Sequence, residues 1–328
     1  MPANLTPEYK KAEEAFRQAK TVEEKIACLE RMLAVIPKHK GTDHMQGDLK
    51  KRLSKLRDAD DRTGGKRTDP YAIKVEGAGR AVIVGPPNTG KSSLLAALTN
   101  AKPEIADFPF SSTRPMPGMM PFEDIQIQLI DTPPVTSDRV ETYHSNLSRA
   151  ADLLLCVVDI SAADPVAQLV DTAAIFENIR IKFSAVKPDT PQLMGVAEKL
   201  TFVAVNKTDA DEDDILLGEF GRAAATQLRI FPVSAATGAG LEELKREIFK
   251  ALGVLRVYSK VPGKKADLRA PFVLPVGSSV MDVARMVHND FADNLKFARI
   301  WGSKKFEGQK VQRDYIVQDK DIIEFHSD

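Results

Sequence analysis

The sequence predicts an α/β fold with a mostly parallel sheet that is covered by helices on both faces. Five short apolar runs alternate along the chain with segments of helical periodicity, which is typical of parallel strands joined by crossover helices. The apolar runs, interpreted as buried strands, lie at residues 81–84, 125–130, 153–158, 202–205 and 230–233. The helical segments lie at residues 92–98, 165–179, 215–228 and 241–252. In such a fold we expect the ligand at the carboxyl ends of the strands.

The composition is that of an ordinary globular protein. The chain has 328 residues, 43% of them hydrophobic, and its 46 basic side chains balance 46 acidic ones. A net charge of zero excludes a uniformly basic coat and an acidic tail. Two cysteines, Cys28 and Cys156, exclude a disulfide framework and favour a reducing compartment. Because no apolar run approaches the ~20 residues that span a bilayer and the N-terminus does not resemble a signal peptide, we expect a cytoplasmic protein without membrane contact.

Shifts in composition predict three segments. Residues 1–62 are predicted to be an N-terminal helical segment, because apolar side chains recur there at helical spacing. A polar, glycine-bearing stretch separates this segment from the predicted α/β domain at residues 70–255. A basic linker is predicted at residues 256–269, and residues 268–328 are predicted to form a small domain with short strands and one helix.

The strongest motif is a glycine-rich loop between the first predicted strand and the helix that follows it. Its pattern, Gly-x-x-x-x-Gly-Lys-Ser, lets successive backbone N–H groups point at phosphates beside a helix N-terminus that favours anions. Lys91 is expected to reach the outer phosphates, and the Ser92 hydroxyl is expected to bind Mg²⁺. The residues expected to contact the nucleotide here are Gly85, Pro86, Pro87, Asn88, Thr89, Gly90, Lys91, Ser92 and Ser93.

A second motif selects the base. Asn206, Lys207 and Asp209 follow the fourth predicted strand in the pattern Asn-Lys-x-Asp. A carboxylate at Asp209 can accept from both N1–H and the exocyclic amine of guanine, whereas adenine presents an acceptor at N1. The Lys207 stem can lie over the base plane, and Ser234 and Ala235, after the next strand, fit a backbone contact to the guanine carbonyl. These residues predict GTP and GDP as ligands.

One further carboxylate completes the predicted phosphate site. Asp131 ends the second predicted strand, and we expect it to bind Mg²⁺ through water. A solvated aspartate at a strand end is the alternative.

These motifs together resemble the Obg/DRG branch of the translation-factor-related GTPases, and specifically its developmentally regulated GTP-binding proteins. The matching stretches lie at residues 50–57, 85–92, 106–115, 127–133, 151–159 and 206–209. The C-terminal domain resembles a TGS domain, a small β-grasp-like α+β module shared with threonyl-tRNA synthetases and stringent-response enzymes. That likeness is carried by residues 275–277, 283–284, 288–290, 297, 301–302, 308–311, 314–315 and 319–324. The resemblance implies a P-loop NTPase G domain followed by a TGS domain.

The resemblance also implies a third metal ligand. In the first switch of the family, the second of two threonines binds Mg²⁺, and that position falls on Ser112, with Thr113 next to it. Mg²⁺ would then be held by Ser92, Ser112 and Asp131.

Catalysis implied by the resemblance is positional and electrostatic, with Lys91, Ser112 and Asn88 acting near the transferring phosphates. Asn88 falls where potassium-activated relatives place an asparagine that helps to hold K⁺. The alternative for Asn88 is that it fits the turn of the loop. The nucleotide state is expected to order or release residues 108–118, the first switch, and residues 134–145, the second switch.

One departure from the family pattern concerns the second switch. The family has Asp-x-Pro-Gly, whose glycine N–H contacts the γ-phosphate, but here Pro134 stands in the glycine position and has no N–H. Val135 occupies the position where many small GTPases carry a water-orienting glutamine. The two features predict slow intrinsic hydrolysis and weak discrimination between GTP and GDP.

The expected function is hydrolysis of GTP to GDP and phosphate by a regulatory switch associated with a ribosome or an RNA. Residues 38–67 hold ten basic and five acidic side chains, and residues 256–269 hold five basic side chains and one acidic side chain. Both stretches therefore suit an RNA-facing surface. A solvated helix face is the alternative for these charges. A different function also stays open, that of a non-switching, nucleotide-bound scaffold that acts through its TGS and helical regions.

Two further features of the sequence carry less information about function. The five histidines, among them His144, have no metal-ligand spacing, and we expect them at the surface or in packing. Trp301 is expected to pack within the TGS domain rather than to stack on RNA. The sequence does not indicate an oligomeric state.

Overall fold

The computed structural model divides the chain into two compact units, Met1–Pro70 and Tyr71–Asp328. It describes residues 73–100, 114–136, 140–188, 195–211, 213–287, 292, 294–302 and 306–327, and in the first unit residues 9, 13, 15, 16, 28, 29, 32, 35, 36, 49, 51 and 52. All of these first-unit residues except Ile36 are helical. Its buried apolar side chains are Tyr9, Leu29, Met32, Ile36 and Leu49.

The second unit contains a seven-stranded sheet of the predicted, mostly parallel kind. Its strands are β1 (Arg80–Val84), β2 (Met116–Phe122), β3 (Ile125–Asp131), β4 (Leu153–Asp159), β5 (Ile181–Ser184), β6 (Ala197–Asn206) and β7 (Arg229–Pro232). The order is β2-β3-β1-β4-β6-β5, with β7 also paired to β6. Among these seven described strands, β2 alone is antiparallel to its neighbour. β1 and β4 are buried along their whole length, as expected for central strands covered on both faces.

Helices cover both faces of this sheet. They are α1 (Lys91–Leu98), α2 (Thr142–Ala150), α3 (Pro165–Asn178), α4 (Ile215–Ala223) and α5 (Leu241–Leu252). The apolar side chains of α1 and α5 join one buried core, and those of α2, α3 and α4 join the core on the opposite face. This arrangement confirms the predicted α/β class. No helix in the described ranges is long and apolar enough to cross a membrane.

The sequence does not predict β2, β5 or α2. β2 contains Pro117 and Pro121, and it tolerates them because it pairs only with β3 at the edge of the sheet. β5 has only four residues and also lies at an edge. α2 begins at a capping box in which the side chains of Glu141 and His144 satisfy each other's backbone N–H groups. A histidine in that box is not the glutamate or glutamine that the usual pattern requires.

A second sheet follows in the same unit. Its strands are β8 (Val254–Ser259), β9 (Phe272–Pro275), β10 (Leu295–Trp301), β11 (Gln309–Val311) and β12 (Asp321–Ser327), in the order β11-β10-β12-β8-β9, with helix α6 (Val280–Val287). The sequence predicts a linker at residues 256–269, whereas residues 256–259 belong to β8. The prediction fails there because Arg256 looks solvent-exposed in sequence but is 2% exposed, held by carboxylates from distant parts of the chain.

Candidate nucleotide-binding site

The glycine-rich loop lies between β1 and α1, as predicted. Gly85 has a φ of +148°, and a Cβ atom there would lie 2.5 Å from the Val157 carbonyl oxygen. Gly90 has a φ of +84°, and a Cβ atom there would lie 2.3 Å from Nδ2 of Asn206. Both positions therefore require glycine, for backbone conformation and for space.

The side chain of Lys91 folds back across this loop. Its Nζ donates to the carbonyl oxygen of Pro86 at 2.7 Å, and Oγ1 of Thr89 donates to the same oxygen at 3.2 Å. Burial lowers the pKa of Lys91 to about 8, and the charge of Asp131 opposes this shift. Phosphate oxygens near the ammonium group would favour its charged form.

Asn88 is exposed at the tip of the loop and has a φ of 61°. Asparagine adopts this left-handed conformation more readily than most residues, so the backbone conformation of Asn88 fits the alternative that this residue serves the turn of the loop. Its role in holding K⁺ stays a prediction. Pro86 and Pro87 beside it are half-buried.

Asp131 and Ser92 meet below the loop. The Ser92 hydroxyl donates to Oδ2 of Asp131 at 2.5 Å, and Asp131 is 2% exposed. The other oxygen, Oδ1, is buried and has no hydrogen-bond partner among the described residues. Burial raises the pKa of Asp131, although the Ser92 hydrogen bond and the Lys91 charge act against it. A buried carboxylate oxygen in this state is costly unless a cation or a donor takes it.

These two side chains fit Mg²⁺, which prefers oxygen ligands and keeps some of its waters. In the described ranges, no group of three or more His, Cys, Asp or Glu side chains could hold a metal ion. A divalent cation here would therefore depend on the nucleotide phosphates and water in addition to Ser92 and Asp131. Ser112, the third predicted ligand, lies outside the described residues together with Thr113.

Asn206 connects the two halves of the site. It ends β6, its Nδ2 donates to the Thr89 carbonyl oxygen at 2.9 Å, and its Oδ1 accepts from the Ala235 N–H at 3.1 Å. The phosphate loop and the Ser234–Ala235 turn are thus joined through one buried amide. Asn206 thus holds the phosphate loop against this turn, whereas the sequence predicts only that Asn206 contacts the nucleotide.

Lys207 and Asp209, the remaining residues of the base motif, directly follow the end of β6. Asp209 is exposed and accepts from the buried Ser234 hydroxyl at 2.5 Å. Lys207 has a φ of 64°, and its Nζ pairs with Oδ2 of Asp159 at 2.6 Å. Asp159 is a site residue that sequence reasoning missed, although it ends β4 in the same way as Asp131 ends β3.

The first residues after β3 are bonded to neighbouring elements. The Thr132 hydroxyl donates to the Ile83 carbonyl oxygen at 2.7 Å, and the Val135 N–H donates to the Gly85 carbonyl oxygen at 3.3 Å. Nε2 of His144 lies 3.0 Å from the Pro133 carbonyl oxygen. Pro133, Pro134 and Val135 are all buried. His144 is the second residue that sequence reasoning missed.

The basic stretch at residues 256–269 is less exposed than the sequence predicts. Arg256 is buried, and Lys260 pairs with Glu324 at 2.6 Å and lies 4.0 Å over the ring of Trp301. Lys264 and Lys265 are exposed. In the basic stretch at residues 38–67, Lys51 and Arg52 are described and both are exposed.

A phosphate loop, a strand-end carboxylate beside it and an Asn-Lys-x-Asp motif on a sheet of this order define a P-loop guanine-nucleotide-binding protein. Models of two protein families match this chain. The family of 50S ribosome-binding GTPases matches residues 80–207, and the TGS domain family matches residues 255–327. A crystal structure of a GTP-binding protein from Pyrococcus horikoshii aligns with 76% of this chain and 100% of that chain, at 18% identity and a TM-score of 0.47.

Relatives match along most of the chain. An uncharacterized GTP-binding protein of Methanocaldococcus jannaschii is 30% identical, over 92% of this chain and 92% of its own length. The developmentally-regulated GTP-binding protein 2 homolog of Dictyostelium discoideum is 24% identical and that of Mus musculus 22%, each over 92% of this chain and 98% of its own length. The chain belongs to the developmentally regulated GTP-binding protein family, with a GTPase domain and a TGS domain.

Proposed function

We propose that this chain hydrolyses GTP slowly with the help of Mg²⁺ and acts in the cytoplasm as a regulatory switch that associates with a ribosome or an RNA. The observation that carries the proposal is the convergence of Lys91, the Ser92–Asp131 pair and Asn206 on one phosphate loop. The ligand is GTP or GDP because Asp209 presents a carboxylate where the base binds.

Each residue has a defined task in this mechanism. Lys91 would neutralise charge that develops on the transferring phosphates, and Asp209 would orient the base. Ser92, Asp131 and Ser112 would hold Mg²⁺, which when bound supplies positive charge beside the phosphates. Asn88 would help to hold K⁺ at the exposed rim of the loop. Catalysis of this kind rests on positioning and electrostatics.

The slow rate is proposed from the second switch. Pro134 has no N–H to offer a γ-phosphate, and the next N–H, that of Val135, is already donated to Gly85. Val135 is 1% exposed and apolar, so its side chain cannot orient a water molecule. The switch therefore lacks two of the groups that usually accelerate hydrolysis.

Phosphate release from GTP tests the enzymatic part of the proposal. We expect turnover that requires Mg²⁺, is faster in K⁺ than in Na⁺, and rises in Pro134→Gly, because glycine restores an N–H. Pro275→Gly, at an exposed proline of β9, is the matched control and is expected to leave the rate unchanged. Turnover equal to a buffer blank in both salts would exclude the enzymatic function.

The anchored second switch also favours a second candidate, a nucleotide-bound scaffold that acts through its TGS and helical regions. Sedimentation with ribosomes, under GDP and under a non-hydrolysable GTP analogue across a salt series, separates the two functions. Binding that depends on the nucleotide supports the switch, and equal binding under both nucleotides supports the scaffold. The exposed Lys264 and Lys265 and the match to ribosome-binding GTPases support either form of ribosome or RNA association.

A further inference from the structure

The surroundings of His144 determine its tautomer. His144 is the third residue of α2 and is 1% exposed. Its Nε2 faces the Pro133 carbonyl oxygen at 3.0 Å, and its Nδ1 faces both the backbone N–H of Glu141 at 3.2 Å and the Glu141 carbonyl oxygen at 3.3 Å. A carbonyl oxygen can only accept, and Nε2 faces only a carbonyl oxygen, whereas Nδ1 also has a donor beside it. In the neutral ring, Nε2 therefore carries the proton and Nδ1 accepts from the Glu141 N–H. The neutral imidazole thus uses one nitrogen to cap its own helix and the other to hold the residue before Pro134.

Few other hydrogen bonds can fix the backbone at Pro133 and Pro134. Neither proline has an N–H, so carbonyl oxygens are the only backbone polar groups of this dipeptide. On either side, Thr132 and Val135 are bonded to Ile83 and Gly85 in β1 and the phosphate loop. Between these two points, the His144 imidazole supplies the contact from α2.

The other end of α2 is fixed independently of the switch. Arg149 donates to the carbonyl oxygens of Ile179 and Arg180 at 3.3 and 3.0 Å. Lys199 donates to the Ala151 carbonyl oxygen at 2.8 Å. The C-terminal end of α2 is therefore tied to the loop before β5 and to β6, and its N-terminal end is tied to the phosphate side through His144.

We propose that His144 is a positioning residue for GTP hydrolysis, which holds the Pro133 carbonyl and so fixes the start of the second switch against α2. The inference rests on the proposed function, because it assigns His144 a task in that same reaction. His144 takes part without touching the nucleotide, by setting the backbone path that begins at Asp131. It also makes α2 the element that responds when that path changes.

The charge state of His144 suits this task. Burial lowers the pKa of His144, and the positive charge of Lys91 acts in the same direction. The imidazole can therefore hold the second switch without placing another cation near the phosphate loop.

Two amide variants separate the two contacts of the imidazole. His144→Asn places its amide at the level of Nδ1, so it can cap the helix but cannot reach Pro133. His144→Gln places its amide at the level of Nε2 and can donate to the Pro133 carbonyl oxygen. In phosphate-release assays we expect kcat of His144→Asn to fall about tenfold, the rate equivalent of one lost hydrogen bond, and kcat of His144→Gln to stay near the wild-type value. KM should change less than kcat in both.

Two controls accompany these variants. His326→Gln changes a histidine of β12 that pairs with Glu324, and its kcat should be unchanged. His144→Phe keeps a ring against Tyr143 but has no donor, so it should behave as His144→Asn does. Equal kcat values in wild type, His144→Asn and His144→Gln would overturn the proposal. An equal loss in the two amide variants would also overturn it, because that result indicates a general packing role.

Hydrogen exchange gives a readout that does not require turnover. We expect the amides of α2 to exchange differently under GDP and under a non-hydrolysable GTP analogue in wild type and in His144→Gln. This difference in amide exchange between the two nucleotide states should disappear in His144→Asn. If wild type shows no turnover, the hydrolysis proposed above fails, and the exchange pattern alone decides whether His144 links the switch to α2. Exchange that is the same in all three proteins would overturn the link.

Discussion

The guanidinium group of Arg256 in β8 contacts the carboxylate of Asp124 in the turn between β2 and β3, with Nη1 2.8 Å from Oδ1. The same Nη1 lies 2.6 Å from Glu123, and Nε and Nη2 bond to Asp319 at 3.1 and 2.7 Å. The second sheet is thus attached to the turn of a hairpin. The opposite end of that hairpin carries Asp131, where β3 ends beside the phosphate loop.

Arg256→Gln should destabilise this attachment. The change leaves three carboxylates without their shared cation, and we expect the free energy of unfolding to fall by about 1–3 kcal/mol. The effect is smaller than for a fully buried pair because Asp124, Asp319 and Glu123 are 22%, 38% and 48% exposed. Urea denaturation followed by the fluorescence of Trp301, the single tryptophan, measures the change in the second sheet. Arg269→Gln, at a side chain that is 90% exposed, should overlay the wild-type curve.

Asp131→Asn should weaken the dependence of nucleotide binding on Mg²⁺. The variant removes the charge that we expect to hold the metal through water, so the Mg²⁺ concentration needed for tight GDP binding should rise about 10–100-fold. Titration of a fluorescent GDP with Mg²⁺ measures this shift. Asp159→Asn is the matched control, because Asp159 pairs with Lys207 and should alter affinity without altering the Mg²⁺ requirement.

Asp209→Asn should change the preferred base. The variant keeps one acceptor and gains a donor, which suits the C2 carbonyl of xanthine better than the exocyclic amine of guanine. We expect affinity for GTP to fall about 10–100-fold, the equivalent of one hydrogen bond to a charged group, and affinity for XTP to rise. Competition binding measures both. Asp213→Asn removes a charge from the same acidic stretch, at an exposed position, and should leave the preference for GTP intact.

The stability of the protein should depend on the protonation of His144. Burial lowers the pKa of His144 from its ordinary value of about 6.5, while acceptors at Pro133 and Glu141 oppose the shift, so the folded state holds the neutral form. The unfolded chain therefore takes up the proton first as pH falls. The contribution to stability is fully present above about pH 6.5 and is lost below it, by at most about 1.4 kcal/mol per pH unit, until the folded pKa is passed.

His144→Gln has no titrating group at this position and serves as the reference. Unfolding measured between about pH 7.5 and 5.5 should show wild type losing stability relative to His144→Gln as pH falls. The charged groups that face the imidazole are Glu141 and Lys91, and both are present in the two proteins. A difference in unfolding free energy between the two proteins that stays constant with pH would contradict the lowered pKa of His144.

The sequence predicts those strands and helices whose hydrophobic pattern matches the burial of their side chains in the structure. β1 and β4 are continuous apolar runs, and α5 is an amphipathic helix between Gly240 and Gly253, so all three are predicted to within one residue. β2 and β8 are not predicted, because what stabilises them lies elsewhere in the chain. Pro117 is acceptable only because β2 is an edge strand, and Arg256 is neutralised by residues 63 and 133 positions away.

The residues of the candidate site also fall into two groups, those that the sequence predicts and those that it does not. Residues that we expect to contact the ligand directly belong to motifs with fixed spacing, so the loop at Gly85 and the Asn-Lys-x-Asp motif can be read from sequence. Asp159 and His144 act on other protein groups rather than on the ligand. Their roles depend on the tertiary contacts with Lys207 and Pro133, and no spacing rule encodes those contacts.

The two hydrogen bonds of Asn206 join protein atoms on both sides of the candidate nucleotide site, at 2.9 Å to Thr89 and 3.1 Å from Ala235. The separation between the predicted phosphate and base subsites would therefore be set during folding and not during binding. Loops that are already ordered lose little conformational entropy when a ligand arrives, so preorganisation contributes to affinity. It also ties affinity to the integrity of β6. A mutation that loosens the end of this strand would weaken nucleotide binding even if every residue that touches the nucleotide were unchanged.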